Sequence, residues 1–211
     1  MRNILKWLIF TIYKPVFKRS GESDSIYITF DDGPHPENTP LIINILEKYQ
    51  TKVTFFMTGI EMEKYPNIVD EVIKSGHQIG YHSYNHSSLK KLTLKSLACD
   101  LKKGKAIAAR HGFLMSLYRP PFGDLTILSF FYLITSGWKI IMWSKDSRDS
   151  YDSPELIKHT VSARTIKGGE ILLFHDDYKK TVNILNDILL GYQQENIKCS
   201  LFVDQKLFLL Q

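Results

Sequence analysis

An α/β barrel is predicted by two features of this sequence. Seven short apolar runs alternate with longer amphipathic ones, and polar residues gather where one apolar run after another ends. Strand-then-helix repetition with apolar strands implies a parallel sheet covered by helices. Periodicity alone leaves an open doubly wound sheet and a closed barrel both available. The placement of Asp31, Asp32, His82, Arg119, Asp149 and His175 at successive strand ends favours the barrel. There the ends of all strands converge on one face, whereas an open sheet brings together mainly those at its switch point.

The elements follow in order. Residues 26–30 read as the first strand and 39–49 as the first helix. Residues 53–56 are the second strand, and a helix over 62–74 closes at Gly76, a residue suited to the left-handed turn after a helix. A third strand over 78–81 precedes a helix over 94–111 that Gly112 ends. The fourth strand, 117–119, leads to a strongly apolar helix over 125–136, ended by Gly137. Residues 139–143 are the fifth strand, and Pro154 opens a helix running to 167, before Gly168 and Gly169. Residues 171–174 form the sixth strand, 182–193 a helix and 199–203 the seventh strand.

Composition sets the frame. A chain of 211 residues, 44% hydrophobic and 23% charged, is an ordinary folded protein with a substantial core, which excludes disordered and collagen-like classes. No linker, repeat or composition shift divides it, so residues 25–211 read as one domain preceded by an arm over 1–24. The net charge of +5 favours anionic surfaces, but without a dense basic tract interleaved with aromatics the sequence gives no nucleic-acid site. Cys99 and Cys199 stand alone, fit no zinc spacing and read as free, half-buried thiols.

In the arm, Arg2 and Lys6 flank a short apolar stretch, Trp7 to Phe10, followed by Ile12 and Tyr13. It has neither the small-residue cleavage site of an export signal nor the ~20 apolar residues of a membrane span. Two readings remain: an uncleaved amphipathic segment touching a membrane surface, or a helix packed on the domain.

Four segments carry chemistry. Asp31 and Asp32 end the first strand before a Gly33-Pro34 turn. Neighbouring strand residues point to opposite faces, but a turn can swing the second back, and two close carboxylates repel unless a cation lies between them. A solvated turn is the plain alternative. His82 and His86, four apart, would share one face of a helical turn and reach one metal. With a carboxylate they make a set that leaves coordination positions open, acceptable to zinc and also to iron, cobalt, manganese or nickel. Arg119 precedes Pro120, Pro121, Phe122 and Gly123, and its planar fork suits a fixed carboxylate; Phe122, unlike the two prolines, keeps an N–H.

His175 closes the sixth strand and precedes Asp176 and Asp177. It reads either as a satisfied core residue or as a proton donor, with Asp149 or Asp146 as its partner. His35, His77, His111 and His159 read as loop or helix residues, and Phe130, Phe131 and Tyr132 as core.

Taken together, residues 29–34, 82–86, 119–123 and 173–175 resemble, in order, the motifs of the NodB-homology polysaccharide deacetylases, the family-four carbohydrate esterases. The resemblance runs from about residue 26 to 203. It implies a distorted (β/α)7 barrel, a divalent metal (usually zinc) on Asp32, His82 and His86, and Asp31 as general base. It further implies that Arg119 steadies Asp31 and that His175 is the general acid, tuned by Asp149. Trp143 and Leu173 would line the acetyl pocket, and the Phe122 N–H would help stabilise the oxyanion. The implied reaction removes N-acetyl groups from N-acetylglucosamine-type glycan residues, which points to the cell envelope. The family often has Trp after the fourth-motif Asp, where this chain has Ser150. An O-acetyl esterase and a catalytically silent glycan-binding protein are the competing readings.

Overall fold

A computed structural model describes residues 24–202; the predicted arm, except Asp24, lies outside them. Eight strands and seven helices follow in order: β1 (Ser25–Asp31), α1 (Asn38–Lys48), β2 (Thr54–Met57), α2 (Gly59–Lys64), α3 (Pro66–Lys74), β3 (Gln78–Tyr81), α4 (Leu94–Arg110) and β4 (Leu117–Tyr118). Then come α5 (Ile127–Thr135), β5 (Lys139–Ile140), β6 (Lys145–Asp146), α6 (Pro154–Thr160), β7 (Ile171–His175), α7 (Lys179–Gln194) and β8 (Lys198–Cys199). The strands pair in parallel in the order β5-β4-β3-β2-β1-β7-β6, with β8 added at the start of β1. The sheet curls into a barrel that stays open between β5 and β6.

Strand periodicity divides the core in two. On β1, Ile26, Ile28 and Phe30 face the helices and join the large cluster containing Ile42, Leu46, Phe55 and Phe174. Tyr27, Thr29 and Asp31 alternate to the other face. Inside the curled sheet Tyr27 packs with Phe56, Leu117, Ile141 and Ile171, and Phe202 stacks on Tyr27 at 4.9 Å. The apolar residues fill the barrel toward the strand starts, leaving the inward positions at the strand ends for polar groups.

Several expected boundaries move. The single helix over 62–74 is two, α2 and α3, broken at Tyr65 (φ −127°, ψ 59°), because the residue before Pro66 is pushed out of the helical region. The fifth strand stops at Ile140, and β6 is an additional short strand paired with Leu172 and Leu173. The helix from Pro154 ends at Thr160 rather than 167, and α7 begins three residues before the expected 182. The seventh strand is Lys198–Cys199, pairing with Ser25 and Ile26. Of the aromatic run, Phe130 is core while Phe131 is exposed, and Cys99 is exposed rather than half-buried. Among the described residues no helix is long and apolar enough to cross a membrane.

Candidate active site

The inward alternation delivers the site. Asp31 on β1 is the register partner of His175 on β7. His82 and Arg119 directly follow β3 and β4, one position past the outward-facing Tyr81 and Tyr118. All four therefore meet at the strand-end face of the barrel, as the strand-end pattern predicts.

Asp32 joins them through its backbone. Its φ of 78° is left-handed, a conformation Asp tolerates better than most residues, and it turns the carboxylate back toward the barrel. Asp32 Oδ1 lies 3.5 Å from His82 Nε2 and 3.2 Å from His86 Nε2. The two histidines do not share a helical turn, contrary to the spacing argument. Their segment is a loop with left-handed Ser83 (φ 62°) and His86 (φ 51°), which brings the rings to 5.0 Å. Among the described residues, five of the seven non-glycine residues with positive φ (Asp32, Ser83, His86, Phe122 and Arg148) lie on these strand-end loops, the clustering expected where function maintains strain.

These residues fit a metal. One ligand atom from each of Asp32, His82 and His86 lies within 4.8 Å of the others. Tetrahedral zinc with N and O ligands at about 2.0–2.1 Å requires donors roughly 3.3 Å apart, and the two spacings from Asp32 Oδ1 to the histidine nitrogens, 3.5 and 3.2 Å, bracket that figure. Asp32 Oδ1 is buried with no hydrogen-bond partner, an orphaned acceptor that a cation would satisfy. His82 Nδ1 lies 2.8 Å from the Arg119 carbonyl, to which it donates, leaving Nε2 as a lone-pair donor toward Asp32. Burial pushes the His82 pKa down to about 3, so its ring is neutral, as a ligand must be.

Arg119 is fully buried and donates four hydrogen bonds. Its Nη1 donates to Asp31 Oδ1 and Thr29 Oγ1, both at 2.7 Å, and Nε and Nη2 donate to the carbonyls of Ile141 and Met142 at 3.1 and 3.3 Å. Those carbonyls lie between β5 and β6, where the barrel is open, so the guanidinium stitches the seam as well as fixing Asp31. Its plane rests on the Phe56 ring at 4.1 Å. Burial raises the pKa of Asp31, opposed by the charges of Arg119 and His175. Asp31 Oδ2 faces the other way, 3.6 Å from His82 Nε2.

His175 is paired with Asp149, not Asp146. Nδ1 lies 2.8 Å from Asp149 Oδ1, while the His175 N–H and the Thr181 hydroxyl both donate to Asp149 Oδ2 at 2.7 Å. Burial works against the imidazolium. The Asp149 bond and charge, with the charges of Asp31 and Asp32, outweigh it and push the pKa up to about 9. Asp146 instead accepts from the Arg148 N–H.

Phe122 is left-handed (φ 60°), and its 66%-exposed ring stands edge-on to His86 at 4.5 Å. Trp143 packs into the barrel cluster near Gly123, and Leu173 is buried on the inward face of β7. A cavity of about 300 Å³ opens beside Asp32 and His86, lined further by Thr58, Ile60, Glu61, Asn85 and Asp177. Thr58, Ile60 and Glu61 in that lining carry no signal in the sequence, because no motif marks loops that come together only in three dimensions. Thr29 was missed for a different reason, since a strand-interior threonine reads as a β-former. Of the other histidines, His77 is buried against Phe55, His111 pairs with Asp70, His35 caps α1 by accepting from the Glu37 and Asn38 N–H groups, and His159 is exposed on α6.

The family model for polysaccharide deacetylases matches residues 18–133. The chain belongs to the polysaccharide deacetylase family. It is 35% identical over 172 residues to a peptidoglycan-N-acetylglucosamine deacetylase of Bacillus cereus, covering 78% of this chain and 79% of that one. To a chitooligosaccharide deacetylase of Azorhizobium caulinodans it is 31% identical, covering 72% and 73%. It spans 59% and 39% of two longer peptidoglycan deacetylases it also matches. Its structure superposes on the crystal structure of a peptidoglycan N-acetylglucosamine deacetylase bound to 4-naphthalen-1-yl-N-oxidanyl-benzamide with a TM-score of 0.85, at 26% identity, over 92% of this polysaccharide deacetylase and 93% of that chain.

Proposed function

We propose that this deacetylase hydrolyses N-acetyl groups on N-acetylglucosamine-type residues of a cell-envelope glycan, using a divalent metal, zinc first among the candidates. The observation that carries the reading is the convergence of the Asp31–Arg119 pair, the Asp32–His82–His86 set and the His175–Asp149 pair on one face. The activities named for the two relatives above support the substrate class.

The metal, when bound, supplies a Lewis acid that polarises the amide carbonyl and makes water a nucleophile near neutral pH. Asp31 acts as the base. Arg119 occupies Oδ1, leaving Oδ2 on the ligand side to take the proton from the attacking water. Negative charge on the amide oxygen is met by the Phe122 N–H. His175 presents Nε2 to the departing amine because Asp149 holds Nδ1, and its raised pKa keeps it protonated until nitrogen needs a proton. Leu173 and Trp143 form the apolar wall for the acetyl methyl.

The test is acetate release from N-acetylglucosamine oligomers by purified protein, stripped of metal and re-supplied with zinc or cobalt. Metal-dependent release is the expected result. Release from O-acetylated xylan and not from the amide would instead favour the esterase reading, which Ser150 in place of the family Trp motivates. Metal binding without hydrolysis of either would favour a silent glycan-binding role.

A further inference from the structure

We propose that Asp176 is a positioning residue for the metal-binding turn, its carboxyl group seated under Gly33 and tied to Thr39 so that Asp32 is held in ligating orientation. The inference rests on the assignment of Asp32 as a metal ligand.

Asp176 and Asp177 are adjacent in sequence and opposite in fate. Asp177 lines the open cavity, whereas Asp176 is completely buried beneath the turn that follows β1. Three contacts join it to that turn. Its N–H points to the Asp31 carbonyl at 3.4 Å. The Thr39 hydroxyl donates to Asp176 Oδ2 and also accepts from the His35 N–H at 2.8 Å, so it links the carboxyl group to the far end of the 32–39 segment. The third is the contact with Gly33. A Cβ at Gly33 would lie 2.6 Å from Asp176 Cγ and closer still to both oxygens. Gly33 is not in the left-handed region, so backbone conformation does not demand glycine there; the Asp176 carboxyl group does.

The turn is held from the opposite side as well. The Thr58 N–H donates to the Gly33 carbonyl at 3.0 Å, and the Asp32 N–H to the Phe56 carbonyl at 3.2 Å. The segment carrying Asp31 and Asp32 is therefore gripped between the end of β2 and Asp176 just past β7. Asp176 Oδ1 has no hydrogen-bond partner. A buried carboxyl oxygen without one is costly, so stability alone gives no reason to place it there.

The experiment measures zinc affinity of the full chain by competition with a chromophoric chelator, and the absorption spectrum of the cobalt-loaded protein. Melting of the metal-free protein reports folding. Asp176→Ala is expected to weaken zinc binding about 10- to 100-fold, the range for residues that orient a ligand, and to change the cobalt spectrum while the metal-free protein still melts cooperatively. Asp176→Asn keeps the shape and an acceptor for Thr39, and is expected to restore most of the affinity. Gly33→Ala is expected to damage binding as severely as Asp176→Ala. Combining the two should cost no more than the worse single change, because both act on one contact.

Wild-type zinc affinity and an unchanged cobalt spectrum in Asp176→Ala overturn the proposal, as do fully additive losses in the double variant. If Asp176→Ala does not fold, Thr39→Val removes the tethering hydroxyl without changing shape. Weaker zinc binding by that variant supports the proposal, and unaltered binding overturns it. Because substrate is absent, a wild-type chain that binds zinc but releases no acetate overturns the activity and leaves this result standing. A wild-type chain that binds no zinc overturns the ligand set and this inference together.

Discussion

Asp31 and His175 are register partners on adjacent parallel strands, side by side on the inward face of the sheet. Neighbouring strands run about 4.8 Å apart, so pairing β1 with β7 sets the proposed base and acid across one small space. Each is then turned to its task by a different clamp, Arg119 for Asp31 and Asp149 for His175. Three consequences can be measured, and the packing of α4 on β3 can be measured beside them.

Replacing Arg119 by Ala should destabilise the fold by about 3–5 kcal/mol, because a buried Asp31 charge and the carbonyls of Ile141 and Met142 lose their partner. Arg119→Lys retains a charge but not the fork, and should recover part of the stability with little activity. Denaturant unfolding beside kcat measures both.

Asp31→Asn should leave metal content unchanged and lower kcat by about 10²- to 10⁴-fold, the usual contribution of a general base. His82→Ala should instead lose the metal itself, since its Nε2 faces Asp32. Metal analysis of the two purified variants separates a ligand from a base, and equal metal content in both would remove His82 from the ligand set.

Asp149→Asn should move the alkaline limb of the kcat/KM profile toward neutrality, because the Asp149 bond and charge hold the His175 pKa up. Stability shares this dependence. A histidine raised from 6.5 to about 9 contributes stability fully below pH 6.5 and loses it as pH climbs toward 9. The wild-type melting temperature should therefore fall across that window more steeply than that of Asp149→Asn. Metal on Asp32 would cancel part of the pull on His175, so the metal-free protein gives the larger effect.

Gly104→Ala should destabilise despite its helical position. Alanine gains about 1 kcal/mol of helix propensity over glycine, but a Cβ at residue 104 would lie 2.7 Å from the Tyr81 ring. Overpacking of that kind costs about 1–3 kcal/mol, and Tyr81 is fully buried with no room to retreat. A raised melting temperature in this variant would refute the close approach of α4 to β3.

The sequence by itself determined the alternation of strands and helices, because buried strands are continuous apolar runs and their helices carry one apolar face. Residue type and position at the strand ends likewise singled out Asp31, Asp32, His82, His86, Arg119 and His175, since polar groups there need a purpose. Local pattern failed where tertiary contacts decide. The His82–His86 spacing reads as a helical turn, yet two left-handed residues make it a loop. Residues 141–143 read as strand, yet the carbonyls of Ile141 and Met142 turn to Arg119 because no neighbouring strand closes the barrel there. The choice of Asp149 over Asp146 depended on register: Asp146 on β6 lies opposite Leu173, two positions short of His175, and only the loop beyond β6 brings Asp149 to the imidazole. In the sequence Asp176 is one of two adjacent carboxylates after His175, and nothing local separates them. Only the tertiary structure placed it under Gly33, because burial and close approach belong to segments about 140 residues apart in the chain, and no local periodicity encodes them.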